Sequence, residues 1–171
     1  MGGAFGFFGS LGNVSPAAEA NISGDPTAAD EIFGAAWPVT AIGLDVTERI
    51  EMPQPYLLSL ARDGGEAGRF VWDITRFYEN SYRKAGFPGI YAHDASAVAY
   101  AVVPALFKTR SGPIRVVRDG LSAGETIQKP DGRPFPRGPW DGRPPQTVCV
   151  DVDADGVRDL IRRSLIDAAK G

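Results

Sequence analysis

The chain has 171 residues, 43% of them hydrophobic and 23% charged, with a net charge of −3. That length and balance suit a globular domain with a real core and exclude disorder as the default. Mild acidity without a Lys/Arg stripe excludes a nucleic-acid backbone as partner, and no apolar run approaches the roughly 20 residues needed to span a bilayer.

A single cysteine, Cys149, lies among valines and reads as an inert buried thiol without a disulfide partner. The apolar start of the chain lacks Lys and Arg and is interrupted by glycines, unlike a secretory signal, so a cytoplasmic protein is expected.

Residues 1–8 read as the end of a buried strand running into a glycine-rich turn. Asp25-Pro26 is a helix start, an Asp cap followed by proline at the first helical position. The helix expected over 27–36 sets Ala29, Ile32, Phe33 and Ala36 on one face, and Trp37-Pro38 ends it. Residues 39–44 form a short apolar run consistent with a strand covered on both faces. After Pro55, Tyr56, Leu57, Leu60 and Ala61 make a helical stripe broken at Gly64-Gly65. A second stripe carries Phe70, Val71, Ile74, Phe77, Tyr78 and Tyr82.

A helix over 94–103 is apolar almost all round, which predicts burial, and Pro104 stops it. Strands are expected at 114–117 and 147–151. Between them a Pro/Gly/Arg-rich stretch repeats Asp-Gly-Arg-Pro at 131 and 141, reading as two turns in a long loop. The closing helix, over 157–169, turns Val157, Leu160, Ile161, Leu165 and Ile166 inward. Alternating helices and strands imply α/β layering, and no composition shift divides residues 1–171, so a single domain is expected.

Two strings carry candidate chemistry. The only histidine, His93, precedes Asp94 at the mouth of the apolar helix. Asp94 reads either as a helix cap or, ionised near the positive end of the dipole, as a hard ligand for calcium. His93 reads either as a polar loop end or as a proton donor to a leaving group. Seventy residues earlier, Asn13, Glu19 and Asn21 read either as a polar surface loop or as a set for sugar hydroxyls. If 19–21 is extended, Glu19 and Asn21 point to one face.

Two further patterns are discounted. Asp151-Val152-Asp153-Ala154-Asp155-Gly156 imitates the opening of an EF-hand loop, but Arg162 stands where a bidentate Glu is required. It is assigned to strand exit and helix capping. The glycines at 2, 3, 6, 9 and 12 make neither a dinucleotide nor a phosphate loop.

In this order and separation, the strings resemble the second half of the inosine–uridine-preferring nucleoside hydrolases. The matching residues are Met1-Gly2-Gly3-Ala4, Gly12-Asn13, Pro16-Ala17-Ala18-Glu19-Ala20-Asn21, Asp25-Pro26, Ile42-Gly43-Leu44-Asp45-Val46-Thr47 and His93-Asp94. The resemblance implies an open, mostly parallel Rossmann-like α/β sheet flanked by helices. It also implies hydrolysis of the N-glycosidic bond of a ribonucleoside with a bound Ca2+. Asn13, Glu19 and Asn21 would hold ribose hydroxyls, Asp94 would be a calcium ligand, His93 would face the leaving base, and Tyr82 would line the base pocket.

Ala20 departs from the bulky aromatic common there. The larger departure is that the family's opening Asp-x-Asp-Pro-Gly-x-Asp-Asp segment occurs nowhere in the chain. It supplies most calcium ligands and the general base. Met1 therefore reads either as an internal methionine taken for a start or as the boundary of a broken or split gene, and the chain alone is expected to be inactive. The alternatives are a non-catalytic fragment that acts, if at all, by assembling with an N-terminal half, or an unrelated α/β binding protein that fits by chance; the partners expected are a ribonucleoside and either a second copy of the chain or the missing N-terminal half.

Overall fold

The computed structural model describes residues 1–170. Its elements begin with α1 (Ala20–Gly24), α2 (Pro26–Phe33), β1 (Thr40–Ala41) and α3 (Leu44–Thr47). Then follow β2 (Glu51–Pro53), α4 (Gln54–Asp63), α5 (Gly65–Lys84), β3 (Gly89–Tyr91) and α6 (His93–Val102). A 3-10 turn, β4 (Phe107–Gly112), β5 (Ile114–Val116), β6 (Thr126–Gln128), β7 (Gln146–Val152) and α7 (Ala154–Ala168) complete the chain.

These elements form two compact units, each assembled from two stretches of sequence. One holds residues 1–47 and 107–152, the other 48–106 and the described residues from 153 on.

In the first unit β7 is the spine. It pairs in parallel with β1 and antiparallel with β4, so this three-stranded sheet is mixed rather than mostly parallel. β5 and β6 form a separate hairpin. Residues 1–6 belong to no strand ladder and residues 7–8 turn: Gly2 donates to Ile42 O at 3.1 Å and Leu44 donates to Gly3 O at 2.8 Å, in place of the buried strand expected there. The core gathers Ile22, Phe33, Ala41, Ile114, Val116 and Val148.

Asp25 caps α2 through Ala28 N at 2.9 Å, as its Asp-Pro start requires. The helix stops earlier than expected, at Gly34, and Ile32 is left exposed. The run at 39–44 divides into short β1 and the turn of helix α3.

Both Asp-Gly-Arg-Pro copies make turns, with Gly132 and Gly142 at φ of 77° and 78°, a conformation that suits glycine. The loop that contains them is tied down by a charge cluster. Fully buried Asp30 accepts from Arg115 Nε at 2.9 Å, Arg118 Nη2 at 2.7 Å, Arg143 Nη1 at 3.2 Å and Val116 N at 3.0 Å.

In the second unit β2 and β3 pair antiparallel, and α4 and α5 pack together across the Gly64-Gly65 break. Ile50, Leu57, Leu60, Ile90, Ala99 and Val157 are buried. Asp153 caps α7 through Gly156 N at 2.9 Å, so the acidic string serves strand exit and capping.

One expectation of burial, that of α6, fails here, and the apolar stripe of α5 is likewise exposed. On α5, Phe70, Ile74 and Phe77 are 62%, 58% and 84% exposed. On α6, Val98 and Val102 are each 65% exposed. Periodicity identified apolar faces that nothing within the described residues covers.

Candidate active site

The sequence-predicted residues fall into two groups, one in each unit. Asn13, Glu19 and Asn21 lie in the first; Tyr82, His93 and Asp94 lie in the second.

The first group surrounds the start of α1. Residues 20–24 are helical, not extended, so the alternation that put Glu19 and Asn21 on one face does not apply. Glu19 is instead the N-cap, 2% exposed, and its two oxygens are heavily used. Oε1 accepts from Asn21 N at 2.8 Å, while Oε2 accepts from Ile22 N at 3.1 Å and Gly3 N at 3.0 Å. Asn13 Oδ1 takes the remaining first-turn donor, Ala20 N, at 2.9 Å. The whole string thus satisfies donors that a helix start leaves open.

Two exposed amides remain presented around this buried carboxylate. Asn21 Nδ2 donates to Met1 O at 3.3 Å, leaving its Oδ1 open as an acceptor; Asn13 Nδ2 is likewise open as a donor. The Gly-Asn pair has a steric reason. A Cβ on Gly12 would lie 2.3–2.5 Å from Ser15 O, Ala18 O and Ala18 N, so only glycine lets the loop close.

One neighbour escaped the sequence reading. Asp45, 2% exposed, accepts from Phe5 N and Phe7 N, each at 2.7 Å, and so shapes the glycine loop. Burial pushes its carboxyl up, against the Phe5 and Phe7 amides that favour the ionised form. Only its place in the motif at 42–47 hinted at this, because its partners lie some 40 residues away.

The second group is aromatic. Tyr78 donates to the Tyr82 hydroxyl at 2.7 Å, with ring centroids 4.5 Å apart. Tyr82 continues to Phe87 at 5.2 Å and to Tyr91 at 5.9 Å; Tyr91 meets the His93 ring edge-on at 5.7 Å. Burial and the bond to Tyr82 push the Tyr78 phenol up, with Asp94 adding to the effect. Phe87 and Tyr91 were missed by the sequence reading; Tyr91, two residues before His93 at the end of β3, was findable from strand alternation.

Asp94 is exposed and does not cap α6. The helix begins one residue earlier, at His93, with Ala92 at the N-cap position and no side-chain cap. Its carboxylate lies in the first turn, where the dipole favours negative charge, with no hydrogen-bond partner among the described residues. A metal needs more than this. Calcium takes six to eight oxygens, and the described residues hold no group of three or more His, Cys, Asp or Glu suited to a metal ion. The chain's own residues therefore do not fit a complete calcium site.

The sequence pattern of the inosine-uridine preferring nucleoside hydrolases matches residues 1–159. Uridine nucleosidase 1 of Arabidopsis thaliana is 35% identical over 168 residues, covering 97% of this chain and 49% of that protein. A solved plant nucleoside hydrolase is 35% identical with a TM-score of 0.90, covering 96% of this chain and 52% of its own. The purine-preferring ribonucleoside hydrolase from Gardnerella vaginalis is 34% identical with a TM-score of 0.84, covering 99% and 52%. The chain spans about half the length of the relatives it matches. With the pattern spanning both units and the α/β fold shared, the chain belongs to the inosine-uridine preferring nucleoside hydrolase family.

Proposed function

We propose that this chain supplies the ribose-binding and leaving-group sides of a site that hydrolyses the N-glycosidic bond of a ribonucleoside. Asn13 and Asn21 offer amides to sugar hydroxyls. Glu19 holds the loop that presents them and keeps one Oε1 lone pair for substrate. Tyr82, with Phe87 and Tyr91, packs against the departing base, and His93 donates a proton to it. Asp94 is one calcium ligand, in a shell whose other oxygens come from outside the described residues. The ion would supply positive charge to the reacting groups.

The observation that carries this reading is the imidazole of His93 at the end of an aromatic run, beside a carboxylate relieved of capping duty. A cytoplasmic, nucleoside-salvaging role is consistent with it; no helix among the described residues is long and apolar enough to cross a membrane. A second reading, a fragment acting only through assembly, draws on the absence of a metal-binding group among the described residues.

The test joins the chain to the part of the Arabidopsis relative outside the match, then assays uridine and inosine hydrolysis with calcium. Turnover by the joined protein and none by the chain alone is expected. Enzyme-like turnover by the chain alone, or none after joining, refutes the proposal.

A further inference from the structure

The segment from Gly3 to Phe7 has no strand ladder, and side chains from distant positions hold its backbone instead. Glu19 accepts from Gly3 N at 3.0 Å. The Thr126 hydroxyl accepts from Ala4 N at 3.0 Å and donates to Ala4 O at 2.8 Å. Asp45 of α3 then takes two amides, Oδ2 accepting from Phe5 N and Oδ1 from Phe7 N, each at 2.7 Å. Gly6 between them has a φ of 78°, so the carboxylate holds the chain on both sides of its bend.

Phe7 is held a second time. The Arg110 guanidinium lies 4.4 Å from its ring centroid, and Arg110 Nε donates to Gln128 Oε1 at 2.8 Å. Gln128 is itself buried, its Nε2 donating to the carbonyls of Arg110, Gly112 and Gln146. Only residues 8–12 separate this doubly held Phe7 from Asn13. They form a tight loop: Gly9 N turns back to Gly6 O at 3.5 Å, and a Cβ on Gly6 would lie 3.1 Å from Leu11 Cδ2. Asn13 N closes it on Ala18 O at 3.1 Å. Burial works against the charge on Asp45, so the carboxylate contributes fixed geometry more than stability.

We infer, on the reading of Asn13 as a ribose-binding amide, that Asp45 is a positioning residue for that amide. It fixes the loop from which Asn13 is presented, and Arg110 clamps the same loop through the Phe7 ring. Asp45 acts through the backbone and not on the substrate, since both of its oxygens are engaged by amides.

The test uses the chain itself and the joined protein described above. Asp45→Asn keeps the shape but offers one acceptor oxygen for two amides. In the chain, exchange at the Phe7 and Asn13 amides should become at least about tenfold faster. The urea midpoint should stay at the wild-type value, because relief of a buried charge offsets the lost hydrogen bond. In the joined protein KM for uridine should rise about tenfold with kcat within about twofold, the signature of lost uniform binding. Arg110→Gln should move KM and the Asn13 amide in the same direction by a smaller factor. Asp131→Asn, at an exposed carboxylate of the same unit, should move neither.

A lowered midpoint with KM unchanged would make Asp45 a purely structural residue and overturn the inference. Native exchange at Asn13 in both Asp45→Asn and Arg110→Gln would overturn it as well. A wild-type joined protein that hydrolyses neither uridine nor inosine sinks the proposed reaction, whereas the hold of Asp45 on the loop is still decided by exchange at Asn13.

Discussion

Asp30→Asn should be among the most damaging single-atom changes in the first unit. The native carboxylate is fully buried and neutralises Arg115, Arg118 and Arg143 while accepting from Val116 N. Burial alone would raise its pKa, but the Val116 amide and the three guanidinium groups win, lowering it from 3.8 to about 2. A folded value below the unfolded one stabilises the protein above the unfolded pKa, and that stability drains away as pH falls through the folded value. The difference from 3.8 to about 2 is worth ~2 kcal/mol. At neutral pH an amide leaves the arginines without a counter-charge, for which breaking a buried pair costs ~3–5 kcal/mol. Arg115 and Arg118 are 28% and 46% exposed, so water recovers part of this and the lower figure is expected. Urea unfolding followed by circular dichroism measures both effects. Asp63 in the second unit, held low mainly by Arg62, contributes its own acid dependence. The informative quantity is therefore the difference between wild type and Asp30→Asn. Wild type should lose ~2 kcal/mol more than the variant between about pH 4 and pH 2. A variant within ~0.5 kcal/mol of wild type at neutral pH, or with the same acid dependence, refutes the reasoning.

Other groups give sharper local readouts. Glu19→Gln replaces an acceptor of three backbone N–H groups with an amide that has one acceptor oxygen, orphaning a buried donor. It should cost ~1–3 kcal/mol in urea titrations, and unchanged stability would mean the cap is not needed. Gly12→Ala should force the loop open and free Ala20 N from Asn13; faster hydrogen exchange at the Ala20 amide is the sign, and unaltered protection contradicts it. Burial pushes the Cys149 thiol up to about 12. It should resist thiol reagents at mildly alkaline pH in the native chain and react fully in denaturant; native labelling would show that the β7 core opens. In the joined enzyme, Asp94→Ala should abolish hydrolysis of every nucleoside, whereas His93→Ala should impair purine substrates selectively. Near-normal turnover and calcium affinity in Asp94→Ala would remove Asp94 from the site.

Features held by neighbours in sequence were legible in it. The Asp25-Pro26 start of α2, the Gly64-Gly65 break between α4 and α5, and β5 and β7 all rest on short-range geometry. So did the motif order that identified the family. Tertiary structure decided what those motifs do. Glu19 caps its own helix and also reaches Gly3 sixteen residues away, spending lone pairs that the sequence left free for sugar. Asp94 lost its capping role because α6 begins one residue earlier than its composition implied. Asp30 looked like an ordinary helix residue until Arg115, Arg118 and Arg143 arrived from 85 to 113 positions away. The α5 and α6 stripes were read as apolar, and α6 was wrongly read as covered all round. Periodicity reports which face of a helix avoids water, because it follows from 3.6 residues per turn along one strand of chain. What that face meets depends on distant chain, and a hydrophobic surface carries no directional mark of its partner.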